Sequence, residues 1–145
     1  MNSKQAFYAF GKAFYRLDGF YAEYAKESGV KENLLWILYA LNDGNSHSQK
    51  EICDSWDLPR TTVNTIIKEL ENDCYVKLLQ IKGEKRELEV VLTDKGKAYA
   101  DCLLDKIYKI EEKVSQYLIE SDLTLKLNNL LNELYNAKKS IEGNE

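Results

Sequence analysis

The chain is poor in residues that break helices, bridge segments or perform catalysis. Its 145 residues include one proline, Pro59, one histidine, His47, and seven glycines. So few breakers leave little room for many short strands and favour long helices. The three cysteines, Cys53, Cys74 and Cys102, are far apart and form no C-x-x-C pair. With a single histidine beside them, a disulfide framework and a zinc knuckle are both excluded, and free thiols in a reducing compartment are expected. No 18-residue apolar run occurs, so no membrane span is expected. The N-terminus lacks the apolar stretch and small-residue cleavage site of a signal peptide, which makes the cytoplasm the expected location. There is no Gly-rich phosphate loop and no nucleophile–base pair at motif spacing, so neither an enzyme nor a bound cofactor or metal is expected. Arginine is scarce too, at positions 16, 60 and 86 only.

What is present suits a folded domain. Hydrophobic residues make up 44% and charged residues 30% of the chain, too apolar for a disordered tail. The length fits one domain with one continuous core. The net charge of −4 argues on average against a nucleic-acid partner, because phosphate neutralisation supplies most non-specific affinity. Charge placement therefore matters more than the total.

Periodicity organises the chain. Phe7, Phe10, Phe14, Leu17, Tyr21 and Tyr24 recur at spacings of three and four, which predicts a helix from about Ser3 to Lys26 ending at Ser28-Gly29-Val30. Leu34, Leu35, Ile37, Leu38 and Leu41 predict a buried helix over 32–41. After the turn Asn42-Asp43-Gly44-Asn45, Ser48-Gln49-Lys50-Glu51 is a capping box opening a short third helix with Ile52, Cys53 and Trp56 inward. Asp57-Leu58 is a turn, and Pro59 is expected at the first position of a fourth helix reaching Asn72. Val63, Ile66, Ile67 and Leu70 form its apolar face, and Arg60, Thr61, Asn64, Thr65 and Lys68 its polar one. Residues 75–81 and 86–92 predict a hairpin. Thr93 is expected to cap a long helix carrying Leu103, Ile107, Ile110, Val114 and Tyr117. Ser121-Asp122 starts a last one with Leu123, Leu127, Leu130, Leu134 and Ile141.

A short capped helix, a tight turn, a helix with a polar outer face and then a hairpin make a winged helix-turn-helix. A helix fits the major groove, where polar side chains near its N-terminus reach base edges. Two of the three arginines fall in the two expected contact elements, Arg60 at the recognition-helix start and Arg86 beside the wing tip. From Asn45 to Lys97 nine basic residues face ten acidic ones, so Asp54, Glu69, Glu71 and Asp73 must point away from DNA. The fold class expected is thus mainly α with a small β-hairpin wing, flanked by N- and C-terminal helices whose apolar stripes need cover. The rival reading of the same pattern is a winged-helix protein–protein interaction module without DNA binding, which the acidic balance supports.

Along nearly its whole length the chain resembles the MarR (multiple antibiotic resistance regulator) family of transcription factors. The resemblance is carried by Gln49-Lys50-Glu51-Ile52, Thr61-Thr62-Val63-Asn64, Leu70-Glu71, Glu84-Lys85-Arg86, and Val91-Leu92-Thr93 with Gly96. The family usually has Asp-Arg-Arg where this chain has Glu84-Lys85-Arg86, and mostly Gly where it has Cys74. A Cys there would hold a left-handed conformation at some strain. The resemblance implies one domain over 1–145, with residues 1–27 and 98–145 as dimerisation helices and 32–97 as the DNA-binding lobe. It implies a homodimeric repressor on a palindromic operator, with Thr62 touching phosphate near the start of the recognition helix and Lys85 and Arg86 serving the wing. It also implies a small aromatic or lipophilic effector, for which Tyr15, Trp36 and Tyr39 are the expected lining. Zinc-sensing members need several His and acidic ligands, and peroxide-sensing members a cysteine in the first helix; this chain has neither.

Overall fold

The computed structural model describes residues 1–80 and 88–143. The chain forms two compact units, Met1–Asp105 and Lys106–Glu145, and its long fifth helix contributes to both.

In the first unit, local chemistry sets most element ends. Helix α1 (Ser3–Glu27) opens on a capping box in which Asn2 accepts from the Gln5 N–H and the Gln5 side chain accepts from the Asn2 N–H. It closes where Gly29 takes φ 75° and the Gly29 and Val30 N–H groups donate back to Lys26 and Ala25. That paired pattern satisfies carbonyls the helix end would leave bare. Helix α2 (Glu32–Leu41) buries Leu35, Ile37, Leu38, Ala40 and Leu41.

The two-residue strand β1 (His47–Ser48) leads straight into α3 (Gln49–Trp56), whose capping box pairs Ser48 and Glu51 as the sequence predicts. Helix α4 (Arg60–Asn72) follows. Pro59 is its N-cap rather than its first helical residue. Its ring holds φ at −59°, but its ψ of 134° is extended, and its carbonyl accepts the first helical bond from Val63. Strands β2 (Val76–Gln80) and β3 (Leu88–Leu92) pair antiparallel from Val76↔Leu92 to Gln80↔Leu88, and β1 adds on the other side of β3 at His47↔Val90. The hairpin is as expected. The third strand is not, since two residues carry no alternation to read.

Helix α5 (Asp94–Glu120) starts with Thr93 as its cap, accepting from the Gly96 N–H at 3.0 Å. The Thr93 hydroxyl donates to the Cys74 carbonyl, and the Thr93 N–H donates to that of Tyr75. These bonds draw the helix start so close to β2 that a Cβ on Gly96 would lie 1.7 Å from the Tyr75 oxygen. Only glycine fits there. The core of the unit is Leu35, Ile37, Leu38, Ile52, Val63, Ile67, Val76, Val90 and Leu104, each at most 2% exposed. Tyr24 joins α1 to it, its hydroxyl donating to the Leu103 carbonyl at 2.7 Å.

The second unit contains the rest of α5 and helix α6 (Leu123–Glu142). Asp122 turns the chain in a left-handed conformation, and the Ser121 hydroxyl accepts from the Leu123 N–H. Asp tolerates that conformation better than most residues. No residue of α6 is buried.

Candidate nucleic-acid interface

The site is the outward side of the helix-turn-helix. Asp57 ends α3 in a left-handed conformation, φ 51°, and the N–H groups of Asp57 and Leu58 both donate to the Cys53 carbonyl. That tight turn delivers Pro59, after which α4 places side chains by its 3.6-residue period. Val63, Ile67 and Leu70 are buried. Arg60, Thr61, Thr65 and Lys68 are exposed, and Thr62 and Asn64 are half-buried at the flanks. The apolar and polar faces of α4 fall as the sequence predicts. The Thr65 hydroxyl is spent on the Thr61 carbonyl at 2.9 Å, so it offers its lone pairs outward rather than its hydrogen.

Two grooves flank these residues. One, of about 360 Å³, lies between α3 and α4 and is lined by Gln49, Lys50, Cys53, Arg60, Thr61 and Asn64. The other, of about 340 Å³, brings Thr61, Thr62, Thr65 and Glu69 together with Lys31 and Asn33. Lys31 and Asn33, at the start of α2, escaped the sequence reading. Their place beside α4 is a tertiary fact with no local signal. Asp54, Glu69, Glu71 and Asp73 are exposed, and Glu69 lines the second groove with the threonines. Glu69, expected to point away from the contact face, thus shares a groove with its threonines, and its carboxylate opposes an anion there.

The foot of the wing is bound to the lobe by several contacts. Cys74 takes φ 62°, the left-handed conformation expected from its position. Lys95 Nζ donates to the Asp73 carbonyl at 2.8 Å and sits 4.7 Å above the Tyr75 ring, which stacks on Tyr99 at 4.5 Å. Burial first, then the neighbouring Tyr75 and Asp73, push the Tyr99 hydroxyl pKa up. The expected wing contacts Lys85 and Arg86, with Glu84, lie outside the described residues.

Of the three expected effector residues, the structure brings two together. Trp36 and Tyr39 meet edge to face at 5.7 Å, joined by Tyr21 and Trp56. Tyr15 is 74% exposed and meets only the neighbouring Phe14 among these ring contacts. Trp56 was expected to face the core of the third helix but is 37% exposed, and Cys53 is half-buried. The helix period placed both on the inner side correctly, but a helix of eight residues at the lobe's edge has little above it to cover them. Cys74 and Cys102 are exposed free thiols. Among the described residues no group of three or more His, Cys, Asp or Glu side chains could hold a metal ion, and no helix is long and apolar enough to cross a membrane.

Comparison with known proteins agrees with this geometry. No family model matches the chain. The HTH-type transcriptional regulator SarZ of Staphylococcus epidermidis is 26% identical over 106 residues, covering 69% of this chain and 72% of SarZ. The solved structure of NMB1585, a MarR family regulator from Neisseria meningitidis, matches with a TM-score of 0.78 at 24% identity, covering all of both chains. Overoxidized AbfR bound to DNA matches at 0.61 and 24% identity, over 90% of this chain and 99% of AbfR. NadR in complex with 4-hydroxyphenylacetate matches at 0.65 and 18%, over 87% and 89%. With a TM-score of 0.78 to NMB1585 over the whole chain, the chain has the winged helix-turn-helix fold seen in MarR family regulators.

Proposed function

We propose that this protein is a transcriptional regulator that binds duplex DNA in a sequence-specific manner. The observation that carries the reading is the outward polar face of α4, Arg60, Thr61, Thr65 and Lys68, standing over the buried Val63, Ile67 and Leu70. Arg60, at the N-terminal end of that face, is the guanine reader, with Thr61, Asn64 and Thr65 at base edges and Thr62 on phosphate. Lys68, Lys85 and Arg86 add phosphate and groove contacts. DNA binding by AbfR, which shares the fold, favours this reading over a winged helix used only for protein contacts.

One lobe with so few cations binds DNA weakly, so the working form is a homodimer on a palindromic operator, acting in the cytoplasm as a repressor. Two observations support the dimer, each within one unit. Phe7, Phe14 and Leu17 on α1 are half exposed, and so are Val114, Leu125, Leu134 and Tyr135 on the outer parts of α5 and α6. Apolar stripes of that length are rarely left in water. A small aromatic effector, held near Trp36 and Tyr39 with Tyr15 contributed in the dimer, modulates operator affinity. NadR, of the same fold, is known with such a ligand.

The test is selection of bound sequences from a random duplex pool, followed by fluorescence anisotropy on the selected site. Wild type binds with a steep salt dependence, and Arg60→Ala loses about 1–3 kcal/mol with relaxed preference at one base pair. Lys68→Ala weakens binding evenly across sequences and lowers the salt slope by about one. A pool that never enriches, or equal binding by Arg60→Ala, removes the proposal.

A further inference from the structure

Both tryptophans of the chain belong to one aromatic cluster. Trp36 lies 4.8 Å from Tyr21 and 5.4 Å from Trp56, and Tyr39 lies 5.9 Å from Trp56. Tyr39 and Trp56 wall a cavity of about 200 Å³ between the end of α2 and helix α3. The polar part of its lining is Asp43, His47, Glu51 and Ser55, with no lysine or arginine among the described residues. Two carboxylates thus face one imidazole, and the lining stays net negative whichever protonation state His47 holds.

The carboxylates already converge on a single group. His47 Nε2 is 2.9 Å from Asp43 Oδ1, and its Nδ1 is 3.6 Å from Glu51 Oε2. The imidazole holds both carboxylates at the cavity, while 44% of the Asp43 side chain and 59% of the Glu51 side chain remain open to solvent. The hydrogen bond from His47, followed by that from the Asn45 N–H, holds the Asp43 pKa down to about 2, so this carboxylate stays ionised throughout the physiological range. At the other end of the cluster the Trp36 indole N–H donates to Glu32, which is itself hydrogen-bonded to Asp18. The aromatic faces are therefore flanked by acidic groups at both ends. Aromatic faces with adjacent carboxylates bind organic cations, through the ring quadrupole and through charge; they repel carboxylates and phenolates.

We propose that the cavity between α2 and α3 binds a small organic cation, an ammonium with an apolar or aromatic body. Its charge is met by Asp43 and Glu51, and its body lies against Trp56 and Tyr39. The site deepens the effector reading by naming the ligand's charge, and only its influence on operator affinity rests on that reading.

The two tryptophans report on the site directly. The full chain is titrated, without DNA, with benzyltrimethylammonium, benzyl alcohol and 4-hydroxyphenylacetate while tryptophan emission is followed. The cation gives a saturable change that weakens with salt, and the neutral and anionic compounds bind at least about tenfold more weakly, the effect of about one screened charge contact. Asp43→Asn with Glu51→Gln weakens the cation about tenfold or more. The new amide at position 43 keeps an oxygen for the Asn45 N–H, and the one at position 51 keeps the capping box with Ser48, so unchanged thermal unfolding shows that the double variant folds. Equal binding of all three compounds, preference for the anion, an unaffected double variant, or no saturable change into the millimolar range each overturns the proposal. Operator affinity is measured separately. Cation binding without an operator response keeps the site and removes its regulatory role, whereas an operator response to the cation without any tryptophan change overturns the site.

Discussion

Helices α4 and α6 are both amphipathic, and they end in opposite conditions. Across thirteen residues α4 buries Val63, Ile67 and Leu70, whereas across twenty residues α6 buries none, although it carries more leucines. A 3.6-residue apolar stripe therefore establishes that a segment is helical and which side will be covered. It does not establish by what. In α4 the cover is the rest of the lobe. For α6 the proposed cover is a second copy of the chain, and that difference is open to direct attack.

The largest effects belong to the lobe. Ile67→Ala should cost about 2–5 kcal/mol, as a cavity in a close-packed core does, and the loss should be the same at every protein concentration. Gly96→Ala should cost about 3 kcal/mol or more, because the new methyl group must push α5 away from the Tyr75 carbonyl; denaturant unfolding measures both. A Gly96→Ala protein as stable as wild type would mean the close approach is not kept in solution.

Leu134→Asp on α6 should behave differently. Leu134 is 45% exposed, so the change should leave the far-ultraviolet spectrum intact while shifting the monomer–dimer equilibrium by tenfold or more, about 1.4 kcal/mol. Sedimentation across a concentration series separates the outcomes, and a wild-type protein that stays monomeric throughout erases the contrast between the two helices. Its effect on operator binding should follow the dimer, not the lobe.

A smaller effect sharpens the account of the lobe itself. Cys74→Gly should stabilise by about 0.5–1 kcal/mol, because glycine adopts φ 62° without the Cβ clash. Thermal unfolding of the reduced protein checks this, and an unchanged midpoint would remove the left-handed strain at that position.

The smallest prediction concerns Glu32. Burial first, and then the Asp18 carboxyl bonded to it, raise its pKa in the folded state, while the Trp36 N–H acts the other way. A carboxyl with a raised folded pKa adds stability below its unfolded value and loses it as pH rises through the folded value. Glu32→Gln should therefore gain on wild type as pH rises from about 4 toward 7. The difference in unfolding midpoint between the two proteins, measured at both ends of that range, should grow; a constant difference would show that the Asp18–Glu32 contact has no electrostatic weight.

Much of the fold was legible because its signals are local. The capping box at Ser48–Glu51, the Gly29 helix end and the Thr93 cap each link residues three to five apart. Chain entropy hardly opposes such contacts, so composition alone declares them. The misreadings lie where distant segments meet. Strand β1 exists only because His47 and Ser48 find β3 some forty residues on, and Pro59 is displaced by one position because the turn needs its ψ extended. The polar face of α4 was readable from the helix period. Its neighbours Lys31 and Asn33 were not, and neither was the separation of Tyr15 from Trp36 and Tyr39.

By itself, then, the sequence determined where helices begin and end, which face of each is apolar, and that a helix-turn-helix with a hairpin lies in the middle. Only the tertiary structure decided that Gly96 must lie against Tyr75, that Tyr24 reaches Leu103, and that Tyr39 and Trp56 enclose an acidic cavity with Asp43 and Glu51. The first set follows from hydrogen bonds within one turn of chain, whose partners are chosen by spacing. The second depends on packing between segments far apart in the chain, where the partner is chosen by whatever surface the folded lobe presents.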